Sequence, residues 1–261
     1  MKIKLFKRLK KTLGEHDAVN EFIELIVRDF KGTYSVDGLE KDFLEKKSLE
    51  HNIYITSFDS DLLFRKIRLN YIVSVHQCLE MFLREINDEA KDLGMYKWNY
   101  RTEDKSWLIC VVENIFSDIN IVDFHDLISV CEYYRHVRNV AVHDFYDDAD
   151  KEFKKIDKYI SKLRSRYPNL NAPNKIQDIG FDDFILFSRA AKEIAQSIIN
   201  HFRYDPNKIL NNNDFVKFKK FKNNPDRLKK AIKLALVSKY DLDTNTLSKS
   251  INKIYDDIMA R

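Results

Sequence analysis

Glycine and proline are scarce in this chain, five Gly and four Pro among 261 residues. Antiparallel β folds and glycine-loop nucleotide sites use those residues for turns and close backbone approaches, so the shortage favours long helices. Cysteine is scarcer still. Cys78, Cys110 and Cys131 lie far apart in apolar runs, and none belongs to a Cys-x-x-Cys pair. That pattern argues against a disulfide framework or a zinc site and reads as small core residues in a reducing compartment. No run approaches the roughly 20 apolar residues of a membrane span. The first residues, Lys2-Ile3-Lys4-Leu5-Phe6-Lys7-Arg8-Leu9-Lys10-Lys11, lack the continuous apolar core of a secretory signal. A cytoplasmic protein without membrane contact is expected.

Several catalytic signatures are missing as well. There is no G-x-G-x-x-G, no G-x-x-x-x-G-K-[ST], no H-E-x-x-H and no G-x-S-x-G. No cofactor and no metal ligand set is implied. His16, His51, His76, His125 and His201 stand singly and read as structural.

What is present is a globular composition, 44% hydrophobic and 33% charged, enough for a substantial core. The net charge of +4 is unevenly spread. Residues 206–261 hold thirteen Lys and Arg against six Asp and Glu, and the first eleven residues hold six Lys and Arg with no acid. Such clusters suit a polyanionic partner, and equally suit a solvated helix face.

Apolar residues recur at helical spacing almost throughout, so the fold class expected is all-α. Val19, Phe22, Ile23, Ile26 and Phe30 predict a helix that buries this stripe and stops before Gly32. Residues 31–57 are less periodic, and 52–56 read as a short strand or an extended connection. The clearest helix spans about 60–93, with Leu69, Ile72, His76, Leu79, Leu83, Ile86 and Ala90 inward, N-caps offered by Ser57, Asp59 and Ser60, and a C-cap by Gly94. A second runs from about Lys105 to Ile119. A third begins near Asp123 or Asp126 with the stripe Leu127, Val130, Tyr134, Val137 and Ala141. A fourth carries Phe153, Ile156, Ile160 and Leu163 and ends before Pro168. A loop over 167–180 precedes a long apolar helix, Phe181 to Phe202. Asp205-Pro206 and Asn211-Asn212-Asn213 break the pattern before two basic helices with start signals at Pro225 and Thr244. Three segments follow: 1–57, an N-terminal extension; 58–205, a helical bundle; and 206–261, a basic appendage, either a small domain or added helices.

One constellation carries chemistry. The third helix ends Arg135-His136-Val137-Arg138-Asn139-Val140-Ala141-Val142-His143. Arginine keeps its charge and presents a planar fork that matches phosphate oxygens, while histidine titrates near neutrality and serves as general acid or base. On an unbroken helix, residues five apart diverge by about 140° and rise about 7.5 Å, so one chain does not set Arg138 beside His143. Two such helices about a twofold axis could gather two Arg and two His in one cleft.

This Arg-Asn-x-x-x-His pattern resembles the signature of the HEPN superfamily. The likeness covers about residues 58–205, with the amphipathic helix Val73–Arg84 resembling the helix that members pack against the motif. It implies an antiparallel helical bundle with additional N- and C-terminal helices. It also implies a homodimer with a composite site, and metal-independent cleavage of RNA by a toxin or anti-phage defence effector, with an antitoxin or defence protein as partner. Arg138 and His143 would be catalytic, with Asn139 supporting. Glu80 is a weaker support for Arg138 and pairs more readily with Arg84 one turn away. Tyr133 and Tyr134 are candidates for stacking on bases, although Tyr134 sits in the core stripe. HEPN toxins silenced by nucleotidyl transfer carry a tyrosine two residues past the motif histidine; Phe145 stands there, so that control is not expected. The acidic run Asp144, Asp147, Asp148 and Asp150 would restrain RNA binding. The alternative is a non-catalytic HEPN module that binds RNA or nucleotide, or a helical dimerisation or interaction protein.

Overall fold

A computed structural model describes residues 2–34, 40–54, 59–93, 98–99, 101–116, 124–143, 146–204, 209, 213–240 and 244–260. All regular structure among them is helical. The helices are α1 (Lys2–Tyr34), α2 (Glu40–His51), α3 (Ser60–Leu93), α4 (Trp107–Ile115), α5 (His125–His143), α6 (Tyr146–Ile156), α7 (Ile160–Arg166), α8 (Phe181–His201), α9 (Pro225–Ala235) and α10 (Thr244–Ala260). Within the described residues no helix is long and apolar enough to cross a membrane. Two compact units form, each from separated stretches: residues 1–7, 81–120 and 196–261 in one, 8–80 and 121–195 in the other.

Local chemistry sets the helix ends. Asp59 Oδ1 accepts from the Leu62 amide at 3.0 Å, so Asp59 caps α3. Ser106 caps α4 through the Ile109 amide at 3.1 Å, and Asn224 caps α9 through Arg227 at 3.0 Å with Pro225 in the first turn. Ser57, Gly94, Asp123, Asp205, Pro206, Asn211 and Asn212 lie outside the described residues. So do the last residues expected of the strand-like stretch, 55 and 56.

In the unit of residues 8–80 and 121–195, α3, α5 and α8 supply the core. Leu69, Ile72, Val75 and Leu79 of α3, Leu127, Val130, Tyr134 and Val137 of α5, and Phe184, Phe187, Ala191 and Ile194 of α8 are all buried. Here the heptad stripes read from the sequence face inward. The buried carboxylate of Asp183 organises the centre. Its Oδ1 accepts from Tyr134 Oη at 2.9 Å and the Asn174 amide at 2.8 Å; its Oδ2 accepts from Asn174 Nδ2 at 2.9 Å and the Gly180 amide at 2.8 Å. The Gly180 bond is the reach-back of a first-turn acid to the N-terminus of its own helix. Burial pushes this carboxyl above its ordinary value against the pull of those donors. A second buried acid, Asp126 at the start of α5, meets Lys162 at 2.9 Å and Arg166 at 3.3 Å, and Arg166 also holds Glu193 of α8 at 2.9 Å.

The first helix departs from its reading. It continues through Gly32 to Tyr34, and most of the stripe expected to be buried faces water: Val19 is 55%, Phe22 64% and Ile26 50% exposed, joined by Leu25 at 68%, whereas Ile23 and Phe30 are half-buried, Phe30 against the rings of Phe43 and Phe64. The inward face carries Leu13 and Val27 but also polar groups, and each finds a partner. Asp17 accepts from Ser188 at 2.9 Å and Lys192 at 2.6 Å. Asn20 donates to Ser74 Oγ at 3.0 Å. Glu24, almost wholly buried, meets Arg68 at 3.0 Å and Arg28 at 3.1 Å. Hydrophobic periodicity picks the apolar stripe, but α3 and α8 present Arg68, Ser74, Ser188 and Lys192, and satisfying those groups turned the helix over.

In the unit of residues 1–7, 81–120 and 196–261, Leu83, Ile86 and Ala90 of α3 and Leu108, Val111, Val112 and Ile115 of α4 are buried. Lys2 closes α8: its ammonium donates to the carbonyls of Ile199 at 3.2 Å and Phe202 at 3.0 Å. Its amide donates to Tyr204 Oη at 2.9 Å, and that hydroxyl in turn donates to Glu89. Leu228, Ile232, Leu236, Tyr240, Ile254 and Ile258 bury the inner faces of the C-terminal helices.

Two stability outcomes follow from these contacts. Glu24→Ala leaves the part-buried Arg68 guanidinium without its acid, so urea denaturation should show a loss of about 3 kcal/mol, whereas Phe22→Ala should stay within about 0.5 kcal/mol of wild type. Asp183→Asn turns an amide donor toward existing donors and should lower the unfolding free energy by about 2 to 4 kcal/mol.

Candidate active site

The motif occupies the last turn and a half of α5, which stays α-helical to His143. Nine residues of α5 are buried, among them Val130, Tyr134, Val137 and Val140, and they fix which side of the helix reaches solvent. Arg138 and Asn139 are half-buried and His143 is exposed. By helix geometry Arg138 stands at one edge of the accessible arc, with Asn139 about 100° and His143 about 140° away. The Arg138 guanidinium donates to Asn139 Oδ1 at 3.2 Å. Val142, an apolar side chain 50% exposed, lies on the same arc between Arg138 and Asn139.

The structure therefore brings Arg138 and Asn139 together and holds Arg138 and His143 apart on one chain. Glu80 lies on α3 with its carboxylate 3.6 Å from His76 Nδ1, one turn back on the same helix. Tyr133 corrects an expectation. Its ring is wholly buried, its hydroxyl donates to the Asn174 carbonyl at 2.5 Å, and it packs on Phe153 with centroids 5.4 Å apart. Neither Tyr133 nor Tyr134 can stack on a base, and burial raises both hydroxyls far above the ordinary tyrosine value. Cys131 is buried and its thiol likewise pushed up, which makes it a core group and no nucleophile. Asp144, Phe145 and the side chains of Tyr146, Asp147 and Asp148 lie outside the described residues.

Sequence reasoning passed over the companions of His143 on its own side of the helix. Glu132, His136, Asn139 and His143 follow steps of four, three and four, so they share one face, flanked by Arg135. Arg135 Nη2 stands 2.7 Å from His136 Nε2, and Arg135 Nε donates to Glu132 at 2.9 Å. A guanidinium only donates, so Nε2 of His136 accepts and the ring proton belongs on Nδ1. Glu152 of α6 approaches the same Nε2 at 3.9 Å. The spacing of 132, 136, 139 and 143 on a helical projection was the signal available.

A cleft of about 460 Å3 elsewhere in this unit is lined by Lys31, Arg65, Arg68, Asp61 and Gln177 among others, and includes none of the motif residues. Comparison with known protein families, curated proteins and solved structures finds no match to the chain. The likeness of the motif to the HEPN signature thus rests on these residues alone.

Because Arg138 and His143 sit outside the core, their removal should leave the fold intact. Arg138→Ala and His143→Ala are each expected to keep the wild-type circular dichroism spectrum and to shift the unfolding free energy by no more than about 0.5 to 1 kcal/mol.

Proposed function

We propose that the chain is a metal-independent endoribonuclease of the HEPN type, built on an antiparallel helical bundle and active as a homodimer. The observation that carries this reading is the accessible arc at the C-terminal end of α5, where Arg138, Asn139 and His143 lie outside the core on a rigid element. Cleavage by the 2′-hydroxyl needs a base for the hydroxyl proton, an acid for the departing 5′-oxygen and a cation for the charge on phosphorus. The 2′-oxygen bonds to phosphorus as the bond to the 5′-oxygen breaks, leaving a 2′,3′-cyclic phosphate and a 5′-hydroxyl. Two motif helices about a twofold axis supply two imidazoles, one as base and one as acid. The Arg138 groups hold the non-bridging oxygens in a planar fork. Asn139, already hydrogen-bonded to Arg138, positions that guanidinium. Val142 suits the close approach of a second copy, as an apolar side chain on an otherwise polar arc. Glu80, 3.6 Å from His76 Nδ1 on α3, stays the weaker supporting candidate. The biological setting proposed is a toxin or abortive-infection effector in the cytoplasm, restrained by an antitoxin or defence partner.

A second reading is favoured by the outward stripe Val19, Phe22, Leu25 and Ile26 of α1, since apolar surface of this kind marks contact with other proteins. Under it the chain is a helical interaction or dimerisation protein without catalysis.

Incubating purified protein with a mixed RNA pool in EDTA separates the two. The nuclease reading expects cyclic-phosphate products and a drop of at least about a hundredfold in rate for either Arg138→Ala or His143→Ala. Mixing the two inactive variants should restore no activity, because their mixed dimer holds a single imidazole where base and acid together need two. Undiminished cutting by both variants, or no cutting by wild type under any ionic condition, would remove the assignment.

A further inference from the structure

Residues 215–222 read Phe-Val-Lys-Phe-Lys-Lys-Phe-Lys, and all but the last lie in one long 3-10 helix, Asn213–Phe221. Such helices have three residues per turn, so side chains three apart stand above one another about 6 Å along the axis. Runs beyond three or four residues are uncommon because the hydrogen-bond geometry is poorer. Here the sequence repeats with the period of the helix. Phe215, Phe218 and Phe221 form a ladder with successive ring centroids 6.1 Å and 6.5 Å apart. Lys217 and Lys220 form a second ladder beside it.

The inner rung is structural: Phe215 is buried, its ring 6.4 Å from that of Tyr240. The outer two are half-buried and near parallel, with an interplanar angle of 22°. Cations lie over them. Lys217 Nζ is 5.4 Å from the Phe218 centroid, Lys220 Nζ is 5.2 Å from that of Phe221, and the Arg227 guanidinium from α9 is 4.7 Å from Phe221. Across 217–233 eight Lys and Arg accompany a single acid, Asp226. Lys229, Lys230 and Lys233 of α9 are exposed.

We propose that this ladder and the start of α9 form a sequence-tolerant binding surface for single-stranded RNA. Parallel, half-sunken rings flanked by lysines offer what a single strand presents: flat bases that stack on any aromatic face, and phosphates that lysines neutralise with release of counterions. The 6.5 Å between the outer rings is close to twice the stacking distance of about 3.4 Å, so one base can lie on each ring or between them. Without RNA the lysines cover the rings; with it they swing to the phosphates. An acidic protein or an anionic membrane would use the charge, but neither needs a paired set of flat rings. The surface lies wholly within the unit of residues 1–7, 81–120 and 196–261 and does not depend on Arg138 or His143.

Fluorescence anisotropy of a labelled twelve-nucleotide uridine strand with the full-length His143→Ala protein tests the idea, since that variant leaves RNA intact under the nuclease reading. Binding is expected to weaken at least tenfold in the added double change Phe218→Leu with Phe221→Leu, which keeps apolar bulk where the rings are half-buried. Lys217→Ala with Lys220→Ala should reduce the dependence of log affinity on log salt by about 1.4, two phosphates at about 0.7 each. Absence of binding at low salt, equal affinity of the Phe double variant, or tighter binding to phosphatidylserine vesicles than to the strand would each overturn the proposal. Wild type that binds the strand without cutting RNA would uphold this surface and remove the nuclease reading instead.

Discussion

The Asp183 carboxylate is the constraint on which the motif-bearing unit depends. One buried acid joins the Tyr134 hydroxyl of α5, both nitrogens of Asn174 in the connecting loop and the first turn of α8. A buried charge is tolerated only when its lone pairs are taken, so these groups must meet in one arrangement. That arrangement fixes the rotation of α5 about its axis. With Tyr134 held inward, Val130 and Val137 follow it into the core, and Arg138, Asn139, Val142 and His143 are left on the accessible side. The chemistry proposed for the motif is thus a consequence of a bond made four residues before it.

The polar seam of α1 shows the opposite use of burial. Asp17, Asn20 and Glu24 turn inward to meet Ser188, Lys192, Ser74 and Arg68, and the helix gives up the burial of Val19, Phe22, Leu25 and Ile26. The opposite face would strand Glu24 and Arg68 and break the bonds of Asp17 and Asn20 at the same time, and buried polar groups left without partners are the costlier defect. The exposed stripe it leaves is the kind of surface that a protein partner covers, whichever reading of the function holds.

The geometry of the Arg138 and His143 pair places a demand on assembly. An unbroken helix sets the two side chains about 140° apart, so under the nuclease reading a single chain supplies half of what the proposed reaction requires. Beside His143 on its own face stand Asn139, His136 and Glu132, a polar row whose contacts with Arg135 and Glu152 keep the end of α5 ordered next to α6.

Much of this was written in the sequence. Scarce glycine and proline determined the helical class, and unbroken three-four spacing determined the inward faces of α3, α4 and α5, because their apolar stripes outweigh the few polar groups, such as His76, Asn114 and Asp126, that are buried with them. The Arg138, Asn139 and His143 group was legible for the same reason: adjacency along one helix needs no tertiary information. Tertiary structure alone decided the rest. It set the orientation of α1, because the partners of Glu24 and Asp17 come from residues far along the chain. It sank Tyr133, because the Asn174 carbonyl that holds its hydroxyl belongs to a loop 41 residues away. It revealed the phenylalanine ladder, because a period of three has meaning only once the backbone has become a 3-10 helix. Local spacing sees only neighbours along the chain, and a buried charge takes its partner wherever the fold brings one.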